Sequence, residues 1–102
     1  MKLNLEDKYR QILEKVFQEL VPDLEVLAYG SRVGNDSVAN SYSGSDIDIV
    51  IKANEAIAID ILAKLKDRIS DSNIPFMVDI FDWHRIPEEF QENIMKKHYK
   101  LQ

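Results

Sequence analysis

Three aspartates are the residues of this 102-residue chain whose type and spacing first suggest chemistry. Asp46 and Asp48 open a run rich in β-branched residues, 46–52, which predicts a strand. Because successive side chains of a strand point to opposite faces, we expect both carboxylates on one face, side by side. Two carboxylates in that position repel each other unless a cation lies between them, and Mg²⁺ prefers oxygen ligands of this kind.

The third aspartate, Asp79, lies in an apolar run, 76–81, that also predicts a strand. A carboxylate in such a run is costly unless it is paired or bound to a metal. Two interpretations stay open: a third ligand that also accepts a proton from an acceptor hydroxyl, or a structural carboxylate held by a protein partner. Asp82, three residues further on, is predicted to be a loop or cap residue just past the strand.

A Gly30-Ser31 step follows another short apolar run, residues 24–29, which we also predict to be a strand. Glycine can adopt backbone angles that other residues avoid as the chain leaves a strand. If a short helix begins at Ser31, its free N–H groups form an anion site to which the hydroxyl adds a donor. Alternatively, Ser31 only caps a helix. An anion site beside a cation site suits a nucleoside triphosphate with its Mg²⁺.

These motifs occur in an order that resembles a known family. The Gly-Ser-Arg of residues 30–32, the Ser-Asp-Ile-Asp of residues 45–48 and the Val-Asp-Ile of residues 78–80 resemble the minimal nucleotidyltransferases of the DNA polymerase β superfamily. More closely, nearly the whole chain is similar to the MNT partner of two-gene modules that also encode a HEPN-domain protein. One feature differs: the loop at residues 33–45 is longer than is usual in the family and rich in Ser and Asn.

The resemblance implies a fold and a set of site residues. The fold would be α/β (α+β), a polymerase-β-like palm in one nucleotidyltransferase domain, 1–102, with a small mixed sheet and helices packed on one side. Arg32 either neutralises the triphosphate or faces solvent. The implied catalytic residues and ligands of two Mg²⁺ ions are Asp46, Asp48 and Asp79, and the implied nucleotide-binding residues are Gly30, Ser31 and Arg32.

The activity that the resemblance implies is transfer of AMP from ATP to a hydroxyl group. The palm would use nearly the whole chain and leave no second domain for an acceptor, so the acceptor must come from another chain. The implied acceptor is a tyrosine of a small all-helical HEPN-type toxin encoded next door, with this chain as the antitoxin, in a homo- or hetero-oligomer. The alternative is a non-catalytic nucleotide-binding antitoxin that blocks its partner by contact.

Composition excludes several other classes of function. A hydrophobic content of 45% with 30% charged residues is ordinary for a globular domain. With 13 Lys and Arg against 18 Asp and Glu, the net charge of −5 argues against an extensive nucleic-acid surface. No apolar run approaches the roughly 20 residues of a membrane span, and the N-terminus does not resemble a signal peptide. The absence of cysteine fits a cytoplasmic protein.

Three helices must complete the fold around these strands. Apolar residues at helical spacing predict a helix over residues 5–20 with Asn4 as its cap. A second stripe predicts a helix over residues 55–70 with Asn54 as its cap. A last helix is predicted to begin near Pro87, which suits a first helical position.

Overall fold

A four-stranded mixed sheet forms the centre of the fold in the computed structural model, which describes residues 2–34 and 46–102. The strands are β1 (Lys2–Leu3), β2 (Glu25–Tyr29), β3 (Val33–Gly34), β4 (Ile47–Lys52), β5 (Val78–Asp82) and β6 (His98–Lys100). The helices are α1 (Asp7–Leu20), α2 (Ile59–Ser70) and α3 (Glu88–Lys96), and a 3₁₀ turn, Trp83–Arg85, joins β5 to α3.

The sheet has the strand order β5-β4-β2-β6. Strand β2 is antiparallel to both of its neighbours, β4 and β6, whereas β4 and β5 are parallel. Parallel neighbours need a long crossover connection, and α2 provides it here. Strands β1 and β3 form a separate antiparallel pair. The predicted small mixed sheet is confirmed.

Helices α1 and α2 pack together on one face of the sheet, as predicted. Each has an apolar stripe at helical spacing, and the stripes meet the inward side chains of β2, β4 and β5 in one core. An ion pair between Glu19 and Arg68 joins the two helices at the surface. The buried residues of the stripes are Leu13, Val16 and Phe17 in α1 and Leu62, Leu65 and Ile69 in α2.

Helix α3 lies on the opposite face of the sheet, which the prediction of helices on one side did not include. Its Ile94 is buried against Leu27, Tyr29 and Val50 in a second, smaller cluster. The same face of the sheet carries Asp48, because Asp48 and Val50 are two residues apart in β4. Helix α3 is therefore the element that forms one wall over the aspartates.

Two predicted helix caps are wrong because long-range hydrogen bonds use the backbone around them. Asn4 does not cap α1: Glu6 is the N-cap residue, and the Asn4 N–H donates to the Arg32 carbonyl oxygen at 2.6 Å. Asn54 does not cap α2, which begins only at Ile59 after Ala58. Pro87 is the N-cap of α3 rather than its first helical residue.

Helix α2 begins late because side chains at the end of β5 and in the turn after it bond to the backbone of Ile57. The Ile57 N–H donates to the Asp82 carboxylate at 2.8 Å, and the Ile57 carbonyl oxygen accepts from Arg85 at 2.7 Å. These bonds fix the backbone of Ile57 outside the helix, although its side chain remains buried in the core.

The long loop predicted over residues 33–45 begins as the short strand β3, and residues 35–45 lie outside the described residues. In the described parts of the chain, none of the helices combines the length and apolar character that crossing a membrane requires.

Candidate active site

Asp48 and Asp79 lie next to each other on two parallel strands. They are direct partners in the register of β4 and β5, so their Cα atoms are separated by about one strand spacing, roughly 5 Å. Both side chains are half-buried. The register of the two strands brings these aspartates together, which no single stretch of sequence could show.

Asp46 lies just before β4 and is exposed. Burial raises the pKa of the Asp48 carboxyl above its ordinary value, and the negative charges of Asp79 and then Asp46 raise it further. All three carboxylates therefore share one electrostatic environment. That is the condition under which a cation binds favourably.

Gly30 provides the closest approach of the backbone to Asp48. Its φ of +87° lies in the left-handed region, and a Cβ atom on Gly30 would lie only 2.5 Å from Asp48 Oδ2. Only glycine satisfies both conditions at this position. The absence of a side chain at Gly30 therefore leaves room for the Asp48 carboxylate.

Ser31 follows in a tight turn that the Val33 N–H closes onto the Gly30 carbonyl oxygen at 3.1 Å. The chain then enters β3, so no helix begins at Ser31, and Ser31 neither caps a helix nor stands at the N-terminus of one. The side chain of Ser31 is exposed, and Ser31 lines the same cleft as Asp48. The residue is thus placed to donate to an anion, but without the N-terminus of a helix.

Arg32 is buried, so the solvent-facing interpretation is wrong. It is not among the residues that line the cleft beside Asp48, and its contact with the triphosphate stays a prediction. It is only 6% exposed, its guanidinium lies 4.3 Å from the centre of the Phe76 ring, and Nη1 donates to the Asn4 carbonyl oxygen at 3.1 Å. Burial lowers the pKa of the Arg32 guanidinium, and the charge of Asp46 opposes that shift. Arg32 lines a different cavity, together with Tyr9 and Phe76.

A cleft of about 470 Å³ opens beside Asp48, between the sheet and α3. Its cationic lining residue is Lys97, directly after α3, and its polar amide is Asn93. The other lining residues are Tyr29, Gly30, Ser31, Phe81, Phe90 and Ile94.

Sequence reasoning missed the contribution of α3 to the cleft. The signal was the spacing of Phe90, Asn93 and Lys97, three and then four residues apart, which places them on one side of a helix. Lys97 supplies a positive charge to the lining of the cleft.

An aromatic row lines the cleft next to the carboxylates. Tyr29 is the register partner of Asp48, and Phe90 contacts the Tyr29 ring edge-on, with ring centres 5.6 Å apart. Phe90 and Phe81 also meet edge-on, and both are partly exposed. Burial raises the pKa of the Tyr29 hydroxyl, and the charges of Asp48 and Asp79 raise it further.

Asp82 does not belong to this cleft. It is the last residue of β5 and only 3% exposed, so the predicted position in a loop is wrong. Its carboxylate accepts from the His84 N–H at 3.0 Å, which confirms the predicted capping role, and from Arg85 Nη1 at 2.5 Å. Together with the bond from Ile57, these contacts give Asp82 a structural role.

The carboxylates of Asp48, which lines the cleft, and of its register partner Asp79 fit Mg²⁺ if a substrate completes the coordination. In residues 2–34 and 46–102, no group of three or more His, Cys, Asp or Glu side chains is arranged to hold a metal by itself. Mg²⁺ in nucleotide-dependent enzymes is usually held by only one or two carboxylates together with substrate phosphates. Asp48 and Asp79 would provide those carboxylates, and Asp46 remains a predicted third ligand.

Comparisons with known proteins agree with this geometry. The family model described as polymerase beta, nucleotidyltransferase matches residues 10–101. The chain is 35% identical to the probable protein adenylyltransferase MntA of Haemophilus influenzae over 100 residues, which are 98% of this chain and 84% of the relative.

Two solved structures share the fold. A crystal structure from Shewanella oneidensis matches with a TM-score of 0.70 at 14% identity, covering 96% of this chain and 72% of that one. A chain from the complex of a tri-AMPylated Shewanella oneidensis HEPN toxin with its MNT antitoxin matches with a TM-score of 0.63 at 20% identity, covering 91% and 71%. With the paired aspartates and the Gly-Ser turn in place, this chain belongs to the polymerase β nucleotidyltransferase family.

Proposed function

We propose that this protein transfers AMP from Mg²⁺-ATP to a tyrosine of a HEPN-type toxin and so acts as its antitoxin in the cytoplasm. The observation that carries the proposal is the pairing of Asp48 with Asp79 against the Gly30-Ser31 turn. The adenylyltransferase named as a relative and the AMPylated toxin in the structural neighbour supply the reaction and the class of acceptor. The family model matches residues 10–101, and we propose that the nucleotidyltransferase domain comprises all of residues 1–102.

In this proposal the carboxylates, Ser31 and Lys97 have defined tasks. Asp48 and Asp79 hold the cation, Asp46 joins them from the start of β4, and Ser31 donates to a phosphate oxygen. Bound Mg²⁺, as one ion or two, would neutralise the charge of the phosphates and of the leaving pyrophosphate. Lys97, which lines the cleft, neutralises part of the charge of the triphosphate, and Arg32 stays a predicted nucleotide-binding residue.

The reaction balances with these groups. The acceptor oxygen forms a bond to the α-phosphorus while the bond from that phosphorus to the oxygen of the pyrophosphate breaks. Asp79 accepts the proton of the acceptor hydroxyl. Positioning and charge neutralisation supply most of the catalysis, so the small number of functional side chains in the cleft is sufficient.

A second candidate function is inhibition of the toxin by binding alone. The observation in its favour is the loop at residues 33–45, which is longer than is usual in the family and rich in Ser and Asn. The two functions differ in what happens to the partner: transfer changes its mass, whereas contact does not.

Intact mass spectrometry of the partner after incubation with this protein and Mg²⁺-ATP tests the proposal. Wild type should add AMP, Asp48→Asn should add none, and Asp67→Asn should act as wild type because Asp67 is exposed on α2. A partner that is inhibited equally by wild type and Asp48→Asn, with no gain in mass, would establish the binding-only function instead.

A further inference from the structure

The hydroxyl of Tyr29 is a buried donor that has no hydrogen-bond partner in the described part of the chain. Tyr29 is only 6% exposed, and among the described residues its hydroxyl oxygen makes no hydrogen bond. A buried polar group without a partner destabilises a protein, whereas a phenylalanine would fill nearly the same space without that cost. The hydroxyl is therefore unexplained by packing.

The position of the Tyr29 hydroxyl suggests which group accepts its hydrogen bond. Tyr29, Asp48 and Asp79 are successive register partners across β2, β4 and β5, and Tyr29 lines the cleft together with Gly30 and Ser31. The edge-on ring of Phe90, inclined at 87° to the Tyr29 ring, limits where the phenol can point. A fixed donor thus lies beside the carboxylates that we assign to the cation.

We propose that the Tyr29 hydroxyl donates a hydrogen bond to a phosphoryl oxygen of the bound nucleotide. This inference rests on the proposed function and adds a binding residue to it. A tyrosine side chain is longer than an aspartate side chain, so its hydroxyl can reach a ligand held by carboxylates in the same row. A triphosphate brings charged oxygen acceptors to this place, and hydrogen bonds to charged groups are the stronger ones.

The experiment compares Tyr29→Phe with Tyr9→Phe as a matched control. Tyr9 also contacts a phenylalanine ring edge-on, Phe76, with ring centres 5.7 Å apart and an angle of 87°, but it lines a different cavity. Calorimetry without the partner protein measures the binding of Mg²⁺-ATP and of adenosine to each variant. Thermal melts without ligand measure whether the fold is affected.

If Tyr29 binds the phosphate, Tyr29→Phe weakens Mg²⁺-ATP binding about tenfold or more and leaves adenosine binding unchanged. Its melting temperature without ligand is equal to or above that of wild type, because an unpaired buried hydroxyl has been removed. Tyr9→Phe binds both ligands as wild type does.

Three results would overturn the inference. Unchanged Mg²⁺-ATP affinity together with a lower melting temperature would mean that the hydroxyl serves the fold through a buried water. An equal loss of adenosine binding would move the contact away from the phosphates. If wild type itself binds no Mg²⁺-ATP, the proposed function fails as well, whereas tight wild-type binding with an unaffected Tyr29→Phe variant refutes only the role of Tyr29.

Discussion

Replacing Gly30 with alanine is expected to destabilise the protein and to displace Asp48. The φ of +87° lies in the left-handed region, where a Cβ atom costs about 1–2 kcal/mol. The new Cβ would also lie 2.5 Å from Asp48 Oδ2, so the carboxylate must turn away from its preferred rotamer, which costs about 0.5–1.5 kcal/mol. The expected loss is therefore about 1.5–3.5 kcal/mol, or roughly 6–28 °C in melting temperature.

Gly34→Ala is the matched control for this change. Apart from its chain neighbours, no heavy atom of residues 2–34 and 46–102 lies within 4 Å of the Cβ position at Gly34, and its φ is not positive. Gly34→Ala should therefore change stability by less than about 1 kcal/mol, with either sign, because alanine restricts the unfolded chain more than glycine does. Thermal melts of both variants measure the difference.

A double-mutant cycle separates the two contributions at Gly30. In an Asp48→Ala background the oxygen that clashes is absent, so Gly30→Ala should cost only the backbone part, about 1–2 kcal/mol. Turnover in the Asp48-containing protein should fall roughly 100-fold in Gly30→Ala, since a displacement near 1 Å at a reacting centre has about that effect. Equal costs in both backgrounds together with wild-type turnover would refute the assignment of Gly30 as the residue that positions Asp48.

Three further variants test other parts of the molecule. Because the pKa of Asp48 is raised in the folded state, the native protein binds more protons than the unfolded chain. The free energy of unfolding without metal should therefore fall as pH rises from about 3.9 through the raised pKa. Asp48→Asn should flatten this fall in thermal melts with a chelator between about pH 4 and pH 7. Lys97→Ala should weaken Mg²⁺-ATP binding about 3- to 10-fold in calorimetry. Lys96 is exposed but does not line the cleft, so Lys96→Ala should bind Mg²⁺-ATP as wild type does. Equal effects of the two variants would contradict the assignment of Lys97 to the site. Asp82→Asn should lower the free energy of unfolding in denaturant by about 2–3 kcal/mol, because it disturbs the hydrogen bonds to Ile57 and Arg85. Turnover per folded molecule should not change. A stability equal to that of Asp67→Asn would contradict the structural role of Asp82.

The sequence predicted those parts of the fold that depend on local patterns. The apolar stripe of residues 5–20 gave α1 nearly to its ends, and the β-branched run after Asp46 gave β4. The start of α2 was wrong because it depends on Asp82 and Arg85, which bond the backbone of Ile57 from 25 and 28 residues away. Helix propensity has no information about such distant partners.

The sequence indicated the aspartates and the glycine of the candidate site, but not the residues that surround them in the fold. The spacing of Asp46 and Asp48 and the glycine before Ser31 contained the main signal. Only strand register shows that Asp79 pairs with Asp48, and only packing shows that α3 brings Lys97 to the cleft while Arg32 turns toward Phe76. These are tertiary contacts between residues far apart in the chain, so no local pattern specifies them.

The position of a radioactive label tests the proposed transfer most directly. The protein and its HEPN-type partner are incubated with Mg²⁺ and with ATP labelled either at the α- or at the γ-phosphate. We expect the partner to acquire label only from α-labelled ATP, with wild type and Asp67→Asn but not with Asp48→Asn or Asp79→Asn. Label from γ-labelled ATP, or undiminished α-label with Asp48→Asn, would contradict AMP transfer at the paired aspartates.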